Sequence, residues 1–234
     1  MPAALVTGGA GGIGRAVVER LEGDGWDVHS VDLADADLAT REGNRSVVEG
    51  ALARFGLLDA VVANAGFQHV APVEEFPEER WDALLAVLLT SPFLLAKYAW
   101  EALAAGGSGR FVAVASAHGL VASPFKAGYV AAKHGVIGLV KTLALEGAPR
   151  GIAAAAVCPA FVRTPLVEAQ VAAQARAHGV PDERVLEDVI LAPHAVKRLL
   201  EPAEVADVVA LILGPRGDAF TGAAVTMDLG WTAR

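Results

Sequence analysis

Short apolar runs alternate along the chain with longer stretches in which apolar and polar residues recur at helical spacing. "ALVTG" (4–8), "DVHSVD" (27–32), "LDAVVANAG" (58–66), "RFVAVAS" (110–116), "GIAAAAVCP" (151–159) and "AAVTMD" (223–228) predict strands. Most are apolar almost continuously rather than at every second position, the pattern of strands covered on both faces. "GRAVVERLEG", "EERWDALLAVLLTSPFLLAKYAWEALAAG" and "AGYVAAKHGVIGLVKTLALE" predict helices between them. Alternating β and α elements with right-handed crossovers predict a doubly wound parallel sheet with helices on both faces. The expectation is therefore a single three-layer α/β/α domain of the Rossmann type over residues 1–234. One interval breaks the alternation. Residues 163–200 are polar and helical without a strand, and they read as an inserted segment.

Composition changes this picture little. The chain is 54% hydrophobic with a mean hydropathy of +0.44, which raises the question of a membrane. The uncharged run from Ala83 to Ala96 falls short of the roughly 20 residues a spanning helix needs, and Pro92 interrupts it. No basic and apolar leader opens the sequence, so a soluble, cytoplasmic protein is expected. A lone Cys158 excludes an intramolecular disulfide and fits a reducing compartment. With 27 acidic against 19 basic residues, a net charge of −8 and no basic stripe, nucleic acid is not an expected partner.

Two local patterns carry chemistry. "TGGAGGIG" (7–14) follows the first strand and opens the first helix. Glycines there allow a tight turn and close approach of a pyrophosphate, and the helix start offers unpaired N–H groups and the positive dipole end. Gly8, Gly12, Ile13 and Gly14 are thus candidate cofactor contacts, against the plainer reading of an ordinary βα turn. Asp32 ends the second strand, where a carboxylate accepts hydrogen bonds from ribose hydroxyls and repels a 2′-phosphate; Gly11 brings no cation to offset it. The expected cofactor is NAD. A strand-end aspartate capping a turn is the competing reading.

The second pattern lies within "SAHGLVASPFKAGYVAAK" (116–133). Tyr129 and Lys133 share one helical face, and Ser116 closes a strand at the carboxyl edge of the sheet. A tyrosine with an ordinary pKa of about 10 is a poor base. A neighbouring ammonium favours its phenolate, and a serine hydroxyl holds a substrate oxygen. An amphipathic helix with a snorkelling lysine would look similar, and the three residues gain weight only beside the glycine loop.

Together "TGGAGGIG", "ANAG" (63–66), Ser116, "YVAAK" (129–133), "CPAFVRTP" (158–165) and "TG" (221–222) make the chain resemble the short-chain dehydrogenases over essentially its whole length. The resemblance implies that Tyr129 is the base, that Ser116 orients substrate, and that Lys133 binds the nicotinamide ribose and acidifies the phenol. It also implies that Asn64, Ala65 and Gly66 line the adenosine side and that Thr164 sits by the carboxamide. "AGFQHVAPVEEFPEERWDALLAV", "VRTPLVEAQ" and "GWTAR" resemble the subfamily that interconverts (R)-3-hydroxybutyrate and acetoacetate. There the substrate carboxylate is held by polar side chains that fall here on Gln68, His118, Lys126 and Gln170. The resemblance further implies a homotetramer and a small hydroxy or keto acid as partner. No metal site is expected.

Several positions depart from the family pattern. Leu88 stands where the family has a catalytic asparagine, Ala155 and Ala160 replace Asn and Gly, and Leu229 replaces Gly. Alanine at 160 is expected to cost on the order of 1 kcal/mol if the backbone there has positive φ. "VDLADADLATREG" is too short for the helix and strand usually found after the ribose aspartate, which puts an adenine contact by Asp37 in question. Two alternatives to the 3-hydroxybutyrate reading follow: a reductase of another hydroxy or keto compound, or a dinucleotide-binding protein with weak turnover.

Overall fold

The computed structural model describes residues 1–233. Its strands are β1 (Ala3–Thr7), β2 (Asp27–Val31), β3 (Ala60–Ala63), β4 (Arg110–Val114), β5 (Ala153–Pro159) and β6 (Ala224–Met227). They form one parallel sheet in the order β2-β1-β3-β4-β5-β6. The helices are α1 (Gly12–Gly23), α2 (Arg41–Phe55), α3 (Glu78–Leu85), α4 (Ser91–Ala105), α5 (Ala127–Gly147), α6 (Pro165–Glu168), α7 (Val171–His178) and α8 (Pro202–Leu213).

The continuous apolarity of the strands has its expected cause. Every residue of β1, β3, β4 and β5 is buried, whereas β2 and β6, at the two edges, carry partly exposed positions. Side chains of each central strand alternate between two cores. Leu5, Val61, Phe111 and Ala154 face α2, α4 and α5, while Val6, Val62, Val112 and Ala155 face α1 and α8. The direction reversal between β1 and β3 opens a crevice at the carboxyl edge, the usual place for a ligand in such sheets.

The short segment after Asp32 has a structural outcome. The chain passes from β2 through two turns into α2, so among the described residues the sheet ends at β2 with no strand beyond it. Thr40 Oγ1 accepts from the Gly43 N–H and starts α2 there.

Helix α3 runs into α4 through a π-turn, Ala86–Thr90. The combined run Glu78–Ala105 is long and apolar enough by length and composition to cross a membrane, yet 44% of its most apolar stretch is buried inside the domain. Its apolar residues pack on α2 and α5, as a core helix does.

Residues 163–200 contain no strand. They form α6, α7, the short turn Asp182–Arg184 and a second π-turn, Leu186–Ile190, around their own small core of Ala175, Val185, Ile190 and Leu199. A bridge between Val162 and Leu200 and an ion pair between Arg163 and Glu201 tie the ends of this segment together. The strain expected at Ala160 is absent, because its φ is not positive. It occurs instead at Leu229, with φ 55°, where a Cβ costs about 1 kcal/mol relative to glycine.

Candidate active site

A cleft of about 600 Å³ runs along the carboxyl edge of the sheet, and the candidate residues of both sequence patterns line it. Gly8, Gly12, Ile13, Asp32, Asn64, Ala65, Gly66, Gln68, Ser116, His118, Lys126, Tyr129, Lys133, Thr164 and Gln170 all contribute to its wall; Gly14 does not. Gly14 has a packing role. A Cβ there would lie 1.9 Å from the Gly8 carbonyl oxygen, so only glycine lets α1 start against the loop.

The glycine loop is held open by backbone and side-chain bonds. The Asn64 amide donates to the carbonyls of Thr7 (2.9 Å) and Gly8 (3.2 Å), and Thr7 Oγ1 accepts from the N–H groups of Asn64 and Ala65. Helix α1 is preceded by Gly11 at the cap position, which offers no side-chain cap and leaves the first N–H groups for a ligand. Gly12 has φ 52°, and a Cβ on it would meet the Thr164 methyl at 3.1 Å. The bare loop, the uncapped helix start and the strand-end carboxylate fit the pyrophosphate and ribose of a dinucleotide. Asp32 also buttresses the loop, because its Oδ2 accepts from the Ala10 N–H at 2.9 Å and its Oδ1 from the Leu33 N–H at 2.8 Å. Asp37 lines the same wall, and its Oδ1 accepts from the Ala39 N–H.

At the other end Ser116, Tyr129 and Lys133 converge. Ser116 is buried two residues beyond β4, where its Oγ accepts from the His118 N–H at 3.1 Å and shares the cleft wall with Tyr129. Lys133 Nζ lies 5.5 Å from the Tyr129 ring centroid and donates to the Val114 carbonyl at 2.7 Å. That anchor fixes the ammonium under the phenol. Burial pulls Lys133 down to about 8. Burial also raises the Tyr129 phenol above its ordinary value, against the pull of the Ser116 hydrogen bond.

The candidate carboxylate clamp is only partly free. Lys126 is 2% exposed, its Nζ stands 4.6 Å above the Phe161 ring, and burial lowers it to about 8. Among the described residues it has no acidic partner. His118 is kept well below its ordinary value, first by burial and then by the charge of Lys126, so it is neutral. Its Nε2 lies 3.0 Å from Ser123 Oγ and its Nδ1 3.4 Å from Ser116 Oγ. Gln170 Nε2 donates to the Leu166 carbonyl at 2.7 Å, which leaves Oε1 buried with no partner. Gln68 Oε1 accepts from the His69 N–H.

Aromatic groups that the sequence reading passed over complete this end. The Phe161 ring stacks on Trp231 at 5.8 Å, and Trp231 meets His118 edge-on at 4.8 Å. The signal was present in a chain with only 6% aromatic residues: both follow small residues next to candidate motifs. Leu88, in the π-turn, is 2% exposed and packs with Leu84, Ala132 and Tyr129 in an apolar cluster. π-turns recur where a helix presents side chains to a site, and this one brings Val87 and Leu88 to the cleft.

A family model described as enoyl-(acyl carrier protein) reductase matches residues 28–232. A D-beta-hydroxybutyrate dehydrogenase from Rhizobium meliloti (strain 1021) is 46% identical over 77% of this chain and 70% of its own length. A second protein of that name, from Cupriavidus necator, is 38% identical over 99% of this chain and 98% of its own. An uncharacterized oxidoreductase YxjF of Bacillus subtilis (strain 168) is 39% identical over the same shares. The last two alignments extend over 252 positions, more than the 234 of this chain, so those relatives carry residues that it lacks.

Proposed function

From the premise that the chain belongs to the short-chain dehydrogenase/reductase family, we propose that it is an NAD-dependent oxidoreductase interconverting (R)-3-hydroxybutyrate and acetoacetate. One observation carries the substrate class. Lys126 is a buried ammonium without a carboxylate partner among the described residues, and it opens on the same cleft as Ser116 and Tyr129. A buried charge left unpaired is costly, and an acid substrate of the right length removes that cost. The names of the relatives support the same reading.

Gly8, Gly12, Ile13, Asn64, Ala65, Gly66 and Thr164 would hold the dinucleotide, with Asp32 on its ribose. NAD, when bound, supplies the hydride acceptor and a positive charge beside the phenol. In oxidation Tyr129 takes the hydroxyl proton of the substrate, while the bond from carbon to the departing hydride breaks and the carbonyl forms. Ser116 Oγ holds that oxygen, and Lys133 steadies the phenolate. Lys126 draws in the carboxylate, with Gln68, His118 and Gln170 around it, and residues 163–200 close over the acid as a lid. The protein acts in the cytoplasm as a homotetramer in this reading.

A second reading has one observation in its favour. His118 and Gln170 spend hydrogen-bonding groups inside the protein, which weakens the clamp and suits another hydroxy or keto compound. Initial rates of NADH formation on (R)-3-hydroxybutyrate, its enantiomer and neutral secondary alcohols decide between them. Turnover of the (R)-acid is expected; turnover of neutral alcohols alone would overturn the acid reading.

The cofactor preference has its own test. Asp32→Ala is expected to weaken NAD by about tenfold, the loss of roughly 1.4 kcal/mol of hydrogen bonding, and to narrow the preference over NADP. Ratios of kcat/KM for the two cofactors measure it, and an unchanged ratio would remove Asp32 from the ribose site.

A further inference from the structure

Asn44 is a polar side chain with 0% exposure in the first turns of α2. Its amide is fully used. Nδ2 donates to the carbonyls of Leu38 (2.8 Å) and Thr40 (2.6 Å), and Oδ1 accepts from Ser91 Oγ at 2.6 Å. Both N–H groups are thereby committed to the loop at 38–40 and one acceptor site to Ser91. Burying an amide is tolerated only with such partners, so the network belongs to the folded arrangement of these segments.

What it joins is informative. Ala36, Asp37, Leu38 and Ala39 form the rim of the cleft next to Asp32. No sheet ladder supports this rim, since the sheet ends at β2. Its backbone is held instead by Thr40 Oγ1, which donates to the Asp37 carbonyl at 2.8 Å, and by Asn44. The loop also lies hard against α2: a Cβ on Gly43 would stand 2.1 Å from the Asp37 oxygen. Ser91, the third partner, is 1% exposed and directly follows the π-turn whose Val87 and Leu88 line the same cleft. Asn44 thus ties the rim loop to the start of α4, next to the π-turn that also reaches the cleft.

We propose that Asn44, assisted by Ser91, is a positioning residue for the adenosine half of the dinucleotide site, doing by side-chain bonds what an additional strand would do in a longer chain. This rests on the reading of the cleft as a dinucleotide site. Asn44 touches no ligand; it acts through the carbonyls of Leu38 and Thr40, which set where residues 36–39 stand. Losing it lets the rim drift and weakens the adenosine end, while Tyr129, Ser116 and Lys133, held by β4 and α5, keep their places.

The full-length protein tests this with ADP-ribose, which lacks the nicotinamide. Calorimetric titration should show Asn44→Leu, which keeps the branching and heavy-atom count of the side chain, binding ADP-ribose about tenfold more weakly, and Ser91→Ala about threefold more weakly. The KM for NAD should rise in step while kcat moves less than about twofold. A folded Asn44→Leu protein with wild-type ADP-ribose affinity overturns the proposal, as does a kcat loss matching or exceeding the rise in KM. If Asn44→Leu does not fold, unchanged ADP-ribose affinity in Ser91→Ala overturns it. Failure of the wild-type protein to bind ADP-ribose would instead overturn the dinucleotide reading beneath it.

Discussion

Tyr129→Phe is expected to lower kcat/KM for oxidation of the hydroxy acid by about a thousandfold, within the range that general bases contribute. The change removes one oxygen and leaves the ring and its contact with His118 in place. No neighbour takes over the proton. Lys133 is tied to the Val114 carbonyl, and neutral His118 has both ring nitrogens beside serine hydroxyls. Burial holds the phenol above its ordinary value, and the Lys133 ammonium together with the positive charge of a bound nicotinamide favours its phenolate. The sign follows: the phenolate is the active form, and kcat/KM for oxidation should climb with pH before other groups intervene. Phenylalanine should abolish that climb and leave NADH binding within about threefold of wild type. A variant that retained a tenth of the wild-type rate would take the role of base away from Tyr129.

The layered fold was legible because its signal is collective. Runs such as "ALVTG" and "GIAAAAVCP" are apolar on both faces, and the sheet buries both. The shortness of "VDLADADLATREG" also spoke plainly, since so few residues leave no room for a crossover, and β2 is accordingly the sheet edge. The convergence of Ser116, Tyr129 and Lys133 was readable from one strand end and one helical repeat. Other features depend on partners remote in sequence. Nothing near Gln170 says that its N–H will be taken by Leu166, and nothing near Phe161 says that Trp231 will stack on it across seventy positions. Asn44 reads locally as an ordinary residue of a polar helix; only the fold places Ser91 against it. At Leu88 the sequence registered a substitution, but only the structure shows the apolar cluster that accepts a leucine there.

Lys126→Met should raise KM for (R)-3-hydroxybutyrate by about a hundredfold, the equivalent of roughly 2.7 kcal/mol for a buried charge-assisted contact. Methionine keeps the length of the side chain and packs on the Phe161 ring, so the change falls on the charge. A neutral secondary alcohol that the enzyme turns over should lose no more than about threefold. The wild-type pH dependence sharpens the test. Burial lowers Lys126 to about 8, so its ammonium is complete below that pH and lost above it. Affinity for a carboxylate should therefore decline as pH rises through about 8. Lys133 is lowered to about 8 as well, and the two groups cannot be separated on one substrate. Dividing kcat/KM for the acid by kcat/KM for the neutral alcohol cancels Lys133 and Tyr129, which serve both. That ratio should fall above pH 8 in the wild type and stay flat in Lys126→Met. A ratio that falls equally in both proteins would mean that a titrating group other than Lys126 governs recognition of the carboxylate, and Lys126 would lose that role.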